Sequence, residues 1–437
     1  MKKGIFFLCS VFILFFLNPT AGHASDAATI VEEQKDDGDS QRTVEDNTPF
    51  VISLKTDDVL SEPAANTTPL IRSDNNQIAS RAVEKNLGLF SKTIKERFTL
   101  YLSRSGQYLE LMKGILRSKD VPEDIVFMSL IESGFNPYAY SIAKAAGPWQ
   151  FISSTAKRYG LQINWWKDER RDPVKSTMAA ASYLKDLYGM FGSWSLAMAA
   201  YNAGEGKISK AIKRNKSDDY WDLLGTRHIR NETKEYVPRF IAASLIASNP
   251  EEFGFEDIEY RQPMIYDEVL LESPIDLAVA AECAGVDLEA IKKLNPELRR
   301  WCTPPDVQSY ILRVPKGTGD NFQEKLASVP EDERLTIEKY IVKKGDTLKM
   351  ISRKTGIPEN IILSLNALEK IMPLTAGNTV YVLPKGLYVA DADDKRLKKV
   401  AYKVRHYVTD ADDKRLRKVT YKVRHKVKSK KSSFKKR

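Results

Sequence analysis

The chain of 437 residues has little cysteine and little histidine: three Cys and four His. His228, His406 and His425 stand alone, without the spacing that gathers imidazoles around a metal. The two cysteines beyond the N-terminus have no nearby histidine, which argues against a zinc site, and no glycine-rich phosphate loop occurs. No metal and no cofactor are expected. Beyond the N-terminus no apolar stretch reaches 18 residues, which excludes a polytopic membrane protein. A basic core is missing too. The formal charge is +10, but residues 385–437 hold 20 Lys/Arg against 6 Asp/Glu, about +14, which leaves the remainder near −4. The basicity belongs to a tail, so nucleic-acid binding by the folded part is disfavoured.

What is there is enough to build cores. Apolar residues make up 42% and aromatics 10% of the chain, which fits a globular protein and excludes wholesale disorder. At roughly 150 residues per domain, two or three domains are expected.

Lys2 and Lys3 precede the apolar run Gly4 to Leu17, Asn18 and Pro19 break it, and Ala21-Gly22-His23-Ala24 offers small residues for cleavage. Residues 1–24 read as a signal peptide, so the chain is expected to be exported. Cys9 follows bulky Phe6-Phe7-Leu8 in mid-run, where a lipid-attachment cysteine does not belong, so no lipoprotein anchor is expected. Cys283 and Cys302 then remain, and in an oxidising compartment they are expected to form a disulfide.

Residues 25–85 are acidic, polar and without periodicity, and read as a disordered linker. Residues 86–250 carry helical patterns, among them Phe90 to Ser103, Pro122 to Ser133, Pro173 to Tyr188 and Trp194 to Ala203, and read as one compact α domain. Residues 255–320 and 337–385 read as two small β-α-α-β modules. Each has an Asn after its second helix (Asn295, Asn366) and a closing strand ending in Pro, and Asp346 is expected to cap a helix. The fold class is therefore α+β, multidomain. Residues 386–437 contain a 19-residue repeat, Tyr388 to His406 and Tyr407 to His425, identical at 16 positions. Two copies are too few to bury a core. The tail's charge suits peripheral contact with an anionic wall or membrane surface; a solvated tail without a partner is the competing reading.

Chemistry is concentrated in the segment Val121 to Pro137. Ile125, Val126, Phe127, Met128, Leu130 and Ile131 make a helix apolar nearly all round, which should be buried. Glu132 is the carboxylate in that run, in the last turn before Gly134. Burial and the negative helix end both raise a carboxyl pKa, as a general acid requires. A surface Glu at a frayed end, or one paired with an Arg, is the plainer alternative.

Three further segments accompany it: Ser141 to Gln150, ending Gly147-Pro148-Trp149-Gln150; Ala200-Tyr201-Asn202-Ala203-Gly204; and Glu232 to Pro238 around Tyr236. With Glu132-Ser133 they resemble, in order and spacing, the four motifs of the lysozyme-like lytic transglycosylases of the soluble-lytic-transglycosylase (SLT) superfamily. Residues 337–385, with Gly345-Asp346-Thr347-Leu348, resemble a LysM domain, and residues 255–320 a degenerate one lacking that tetrad. The resemblance implies a mainly α lysozyme-like catalytic domain followed by small LysM-type modules. It implies that Glu132 protonates the glycosidic oxygen between N-acetylmuramic acid and N-acetylglucosamine in peptidoglycan. The substrate's own N-acetyl oxygen assists, so no second carboxylate is required, unlike the usual glycosidase. Glu132 then takes the proton of the muramoyl C6 hydroxyl, giving a 1,6-anhydro product. Ser141, Gln150, Tyr201, Asn202 and Tyr236 are the implied substrate-binding residues, Gly345, Asp346 and Thr347 the implied glycan-binding residues of the LysM module. Peptidoglycan glycan strands in the periplasm are the implied partner.

Each implied residue has a structural alternative. Gln150 and Asn202 satisfy backbone groups in many folds, and Tyr201 and Tyr236 suit a core. Trp149, Trp165 and Trp166 are open between stacking on sugars and core packing. The 255–320 module is open between glycan binding and a scaffold packed on the enzyme. A muramidase-type hydrolase on the same fold, or a non-catalytic wall-binding protein, are the competing functions. Oligomeric state is not legible.

Overall fold

The computed structural model describes residues 77–366, 368 and 373–384. The expected signal peptide, most of the acidic linker and the repeat-bearing tail lie outside the described residues. Among those described, no helix is long and apolar enough to cross a membrane.

Three long helices and a set of shorter ones form the first domain. Helix α1 (Gln77–Gly88) leads through a π turn, Leu89–Thr93, into α2 (Lys95–Ser118). The 3-10 turn Glu123–Val126 feeds α3 (Phe127–Ser133), and α4 (Ser153–Arg158) follows a long loop. Then come α5 (Pro173–Phe191), α6 (Trp194–Ala203), α7 (Glu205–Asn215), α8 (Tyr220–Leu224) and α9 (Asn231–Ser248). Phe98, Met112, Ile115, Leu116, Ile125, Met128 and Leu130 are fully enclosed in one core. Each such side chain contributes about 1.5–3 kcal/mol of burial.

The helix ends follow local chemistry. Asp172 caps α5: its carboxylate accepts from the amides of Val174 and Lys175, with Pro173 at the first position. Ser193 caps α6, and Gly204 at φ 94° ends it. Helix α9 contains Pro238, which cannot donate to the Lys234 carbonyl one turn back. The buried Tyr220 hydroxyl donates to that carbonyl at 2.8 Å instead, and to the Thr233 carbonyl at 3.0 Å. The proline is thereby tolerated, and the turn bearing Tyr236 stays helical.

Two modules follow. The first pairs β1 (Tyr266–Leu271) antiparallel with β2 (Tyr310–Pro315), with α10 (Leu277–Ala284) and α11 (Leu288–Leu294) between them. Helix α12 (Gly319–Ser328) closes its core through Phe322 and Leu326. The second pairs β3 (Glu338–Ile341) with β4 (Thr379–Val382) around α13 (Leu348–Thr355) and α14 (Glu359–Leu365). The shared asparagines do the same work in both. Asn295 Nδ2 donates to the Ile291 and Arg313 carbonyls, and its Oδ1 accepts from Arg313 N. Asn366 does so with Ile362, Tyr381 and Tyr381 N. Each amide thus ties the end of the second helix to the closing strand.

The α+β architecture is the expected one, but four details differ, and one open reading is decided for two tryptophans. Helix α1 begins at Gln77, inside the expected linker, because Lys85 and Asn86 bind Glu235 of α9 at 2.5 and 2.9 Å. The first module runs past residue 320, because α12 is part of its core. Cys283 and Cys302 are not bridged. Both are free and buried, Cys283 in the first module's core and Cys302 in the second's, and burial raises both thiols. Thr347, not Asp346, caps α13 by accepting from Met350 N at 3.3 Å. Trp149 and Trp166 are core residues: Trp149 Nε1 donates to Thr177 Oγ1 at 2.9 Å, and Trp166 packs with the second module's core and donates to Ser364.

Candidate active site

Helix α3 delivers Glu132. Leu130 and Met128 anchor it in the core, and its last turn is held from two sides. Ser129 and Ser133 donate to the Pro148 carbonyl at 3.1 and 2.8 Å, and Arg104 donates to the Gly134 carbonyl at 2.6 Å. Gly134 takes φ 60° with the Tyr101 ring where a Cβ would stand, so only glycine fits there.

The Glu132 carboxyl is half-buried. Tyr236, on α9 and itself buried, donates to Glu132 Oε1 at 2.7 Å. Desolvation raises the Glu132 pKa from its ordinary value near 4.5 to about 7; the Tyr236 hydrogen bond and the Arg239 charge oppose that rise, and Glu232 adds to it. At neutral pH the group is therefore poised between acid and base. The Tyr236 phenol is pushed well above its ordinary range by burial and by the Glu132 charge, so it stays a donor.

Tyr201, on α6, donates to the Trp149 carbonyl at 2.8 Å and is raised by burial and by Glu132. Asn202 Oδ1 accepts from Thr233 Oγ1 at 3.1 Å, tying α6 to α9. The loop 139–151 runs beside them. Within it Ser141 Oγ accepts from Ala145 N at 3.0 Å, and Gln150, at φ 49°, donates to the Gly147 carbonyl at 2.8 Å. The expected residues thus fall into three groups. Glu132 and Tyr236 touch, and Tyr201 and Asn202 fasten the neighbouring elements. The hydrogen bonds of Ser141 and Gln150 stay within their loop.

Residues that sequence reasoning passed over hold this loop. Arg170 Nη1 donates to the carbonyls of Lys144 and Phe151 at 2.8 and 3.0 Å, and its guanidinium clasps Asp168 at 2.8–2.9 Å. Gly147, at φ 81°, lies so close to the Arg170 carbonyl that a Cβ would stand 1.7 Å from it. A charge run such as Lys167 to Asp172 reads as solvated face in sequence, yet Lys167 to Arg170 and Asp172 are buried.

In the second module Gly345 takes φ 86° in the turn before α13. Asp346 points inward and accepts from Tyr340 OH at 2.8 Å, Lys343 N at 2.9 Å and Lys354 Nζ at 2.7 Å. These donors, Lys354 first, hold its carboxyl at about 2. Its observed role is to fix the turn, and Thr347 fixes the helix start.

The comparisons agree with this division. Residues 113–224 match the transglycosylase SLT domain, residues 266–331 the LysM-like domain of lytic transglycosylase MltD, and residues 340–382 the LysM domain. The chain thus carries an SLT transglycosylase domain followed by LysM-type modules. It is 35% identical over 280 residues to membrane-bound lytic murein transglycosylase D of Escherichia coli (strain K12), covering 61% of each chain. The chain thus spans less than two thirds of the length of that relative. It is 26% identical over 159 residues to membrane-bound lytic murein transglycosylase C of Mannheimia succiniciproducens, covering 31% of this chain and 44% of the relative. Among solved structures, the 70-kDa soluble lytic transglycosylase SLT70 of Escherichia coli aligns at TM-score 0.31 and 22% identity, covering 43% of this chain and 32% of that one.

Proposed function

We propose that the protein is an exported lytic transglycosylase that cleaves the bond between N-acetylmuramic acid and N-acetylglucosamine in peptidoglycan without consuming water. The observation that carries this reading is the Glu132 carboxyl, raised to about 7 by desolvation and oriented by Tyr236. A group at that pKa gives a proton to a leaving oxygen and takes one back within a single turnover at neutral pH. The Tyr236 hydrogen bond to Oε1 stabilises the carboxylate left after the first transfer. Glu132 then removes the proton of the muramoyl C6 hydroxyl, and that oxygen closes on the anomeric carbon. A hydrolase of the usual kind brings a second carboxylate to the site. The acidic group whose charge raises Glu132 is Glu232, and it is exposed.

In this proposal Ser141, Gln150, Tyr201 and Asn202 border the sugar-binding cleft, and the module of residues 340–382 holds glycan near the enzyme in the periplasm. The relatives' printed names, lytic murein transglycosylases, support the substrate class. The test is digestion of purified sacculi in water labelled with oxygen-18, with mass spectrometry of the products. Anhydro-muramoyl ends without label are expected; reducing ends carrying one labelled oxygen per cleavage would establish a hydrolase instead.

A further inference from the structure

The first module reaches into the floor under loop 139–151. Arg313, on β2, is buried and pairs with the fully enclosed Asp172 at 2.9 Å. Asp172 is the cap of α5, and the backbone just before it carries Arg170. Arg170 clasps Asp168 and pins the carbonyls of Lys144 and Phe151 at the two sides of the loop. A second link runs from the same module to the same turn: Asp168 N donates to the Glu297 carbonyl at 2.9 Å. Glu297 is itself fixed by the hydroxyl of Tyr310, which shares β2 with Arg313, at 2.7 Å. The path from Arg313 runs through the buried Asp172 pair, along the backbone of residues 170–172, and through the charge-assisted bonds of buried Arg170 to the Lys144 and Phe151 carbonyls of the loop.

We propose that Arg313 is a positioning residue for the active-site loop, and that the first LysM-like module serves the reaction as an intramolecular brace of that loop. This rests on the reading of loop 139–151 as part of the sugar-binding cleft. A module that only tethers glycan has no need of a buried arginine fixed under the loop of another domain. Arg313 Nη2 reaches both carboxylate oxygens of Asp172, at 3.2 and 2.9 Å, while Nη1 donates to the Leu294 carbonyl at 3.5 Å, so one rigid guanidinium spans the cap of α5 and the backbone of its own module.

The test is hydrogen exchange and kinetics on the full chain carrying Arg313→Gln. The amides of Ala145, Ala146 and Gln150 are bonded within the loop, to Ser141 Oγ, the Phe151 carbonyl and the Gly147 carbonyl. Those amides should exchange at least about 10-fold faster, while the amides of α6 stay at wild-type rates. The kcat on sacculi should fall about 10-fold or more, with sacculus pelleting unchanged. If the single variant does not fold, Asp172→Asn/Arg313→Gln removes the unpaired buried charge and is read in the same way. Asp306→Ala, which removes the exposed contact of Asn164 with Asp306 and leaves the Arg313–Asp172 pair in place, serves as the control and should leave loop exchange unchanged. Unchanged loop protection in the folded variant, acceleration shared equally by α6, or wild-type kcat despite a loosened loop would each overturn the proposal. Failure of the wild-type chain to cleave sacculi would instead count against the transglycosylase reading, and the exchange result would stand apart from it.

Discussion

Replacing Glu132 by glutamine is expected to stabilise the fold, and to do so in a pH-dependent way. The carboxyl titrates near 7 in the folded chain against about 4.5 ordinarily. Between those values the folded state holds a proton that the unfolded state has released. Stability therefore falls as pH rises from about 4.5 through 7, and the whole penalty is present above 7. At about 1.4 kcal/mol per pH unit the shift corresponds to about 3 kcal/mol, and the partial opening of the group to water brings the expectation to about 1–3 kcal/mol. Glutamine carries no charge to desolvate, has the same shape and still accepts from Tyr236. For a domain of this size the gain corresponds to roughly 2–10 °C in Tm. Thermal unfolding of both proteins at pH 4.5 and pH 8 measures it. Nearly equal Tm values at the lower pH and a more stable variant at the higher one are expected. An equal difference at both, or a variant less stable at pH 8, would refute the desolvation argument.

Other outcomes follow from the same geometry. Tyr236→Phe removes a hydrogen bond that lowers the Glu132 pKa, so the alkaline fall of kcat/KM should move up by about one pH unit; a fall that stays or moves down contradicts the assignment. Gly147→Ala places a Cβ 1.7 Å from the Arg170 carbonyl at φ 81°, and urea denaturation should show a loss of about 2 kcal/mol or more. Cys283 and Cys302 should resist alkylation in the native protein and both react after unfolding without reductant, and a mass showing an intact bridge would be the contrary result.

What the sequence disclosed was local. Helix α6 runs from Trp194 to Ala203 as expected, because Ser193 and Gly204 mark its ends in the chain itself. Strand β2 likewise matches, closed by a proline. Glu132 and Tyr236 were legible singly, one as a carboxylate in an apolar run and both through motif resemblance. Their 2.7 Å contact joins residues 104 positions apart, which no local pattern encodes. The same limit hid the pairing of Arg313 with Asp172 across 141 positions, and with it the support under the loop. The cysteine expectation failed for a related reason: two thiols and a compartment do not specify distance, and the chain places them in separate cores. Asp346 is expected as the cap of α13 from its place just before the helix, but Lys354 and Tyr340 draw its carboxylate into the turn and the neighbouring Thr347 takes the cap.

The central claim is that one carboxyl, Glu132, both gives and retrieves the proton. The most direct measurement is release of soluble muropeptides from purified sacculi by the wild-type chain and by Glu132→Gln, with pelleting to check that both bind. The variant should bind like wild type and lose at least about 10²-fold in turnover. A variant that binds and still releases anhydro-muropeptides at the wild-type rate would contradict the account.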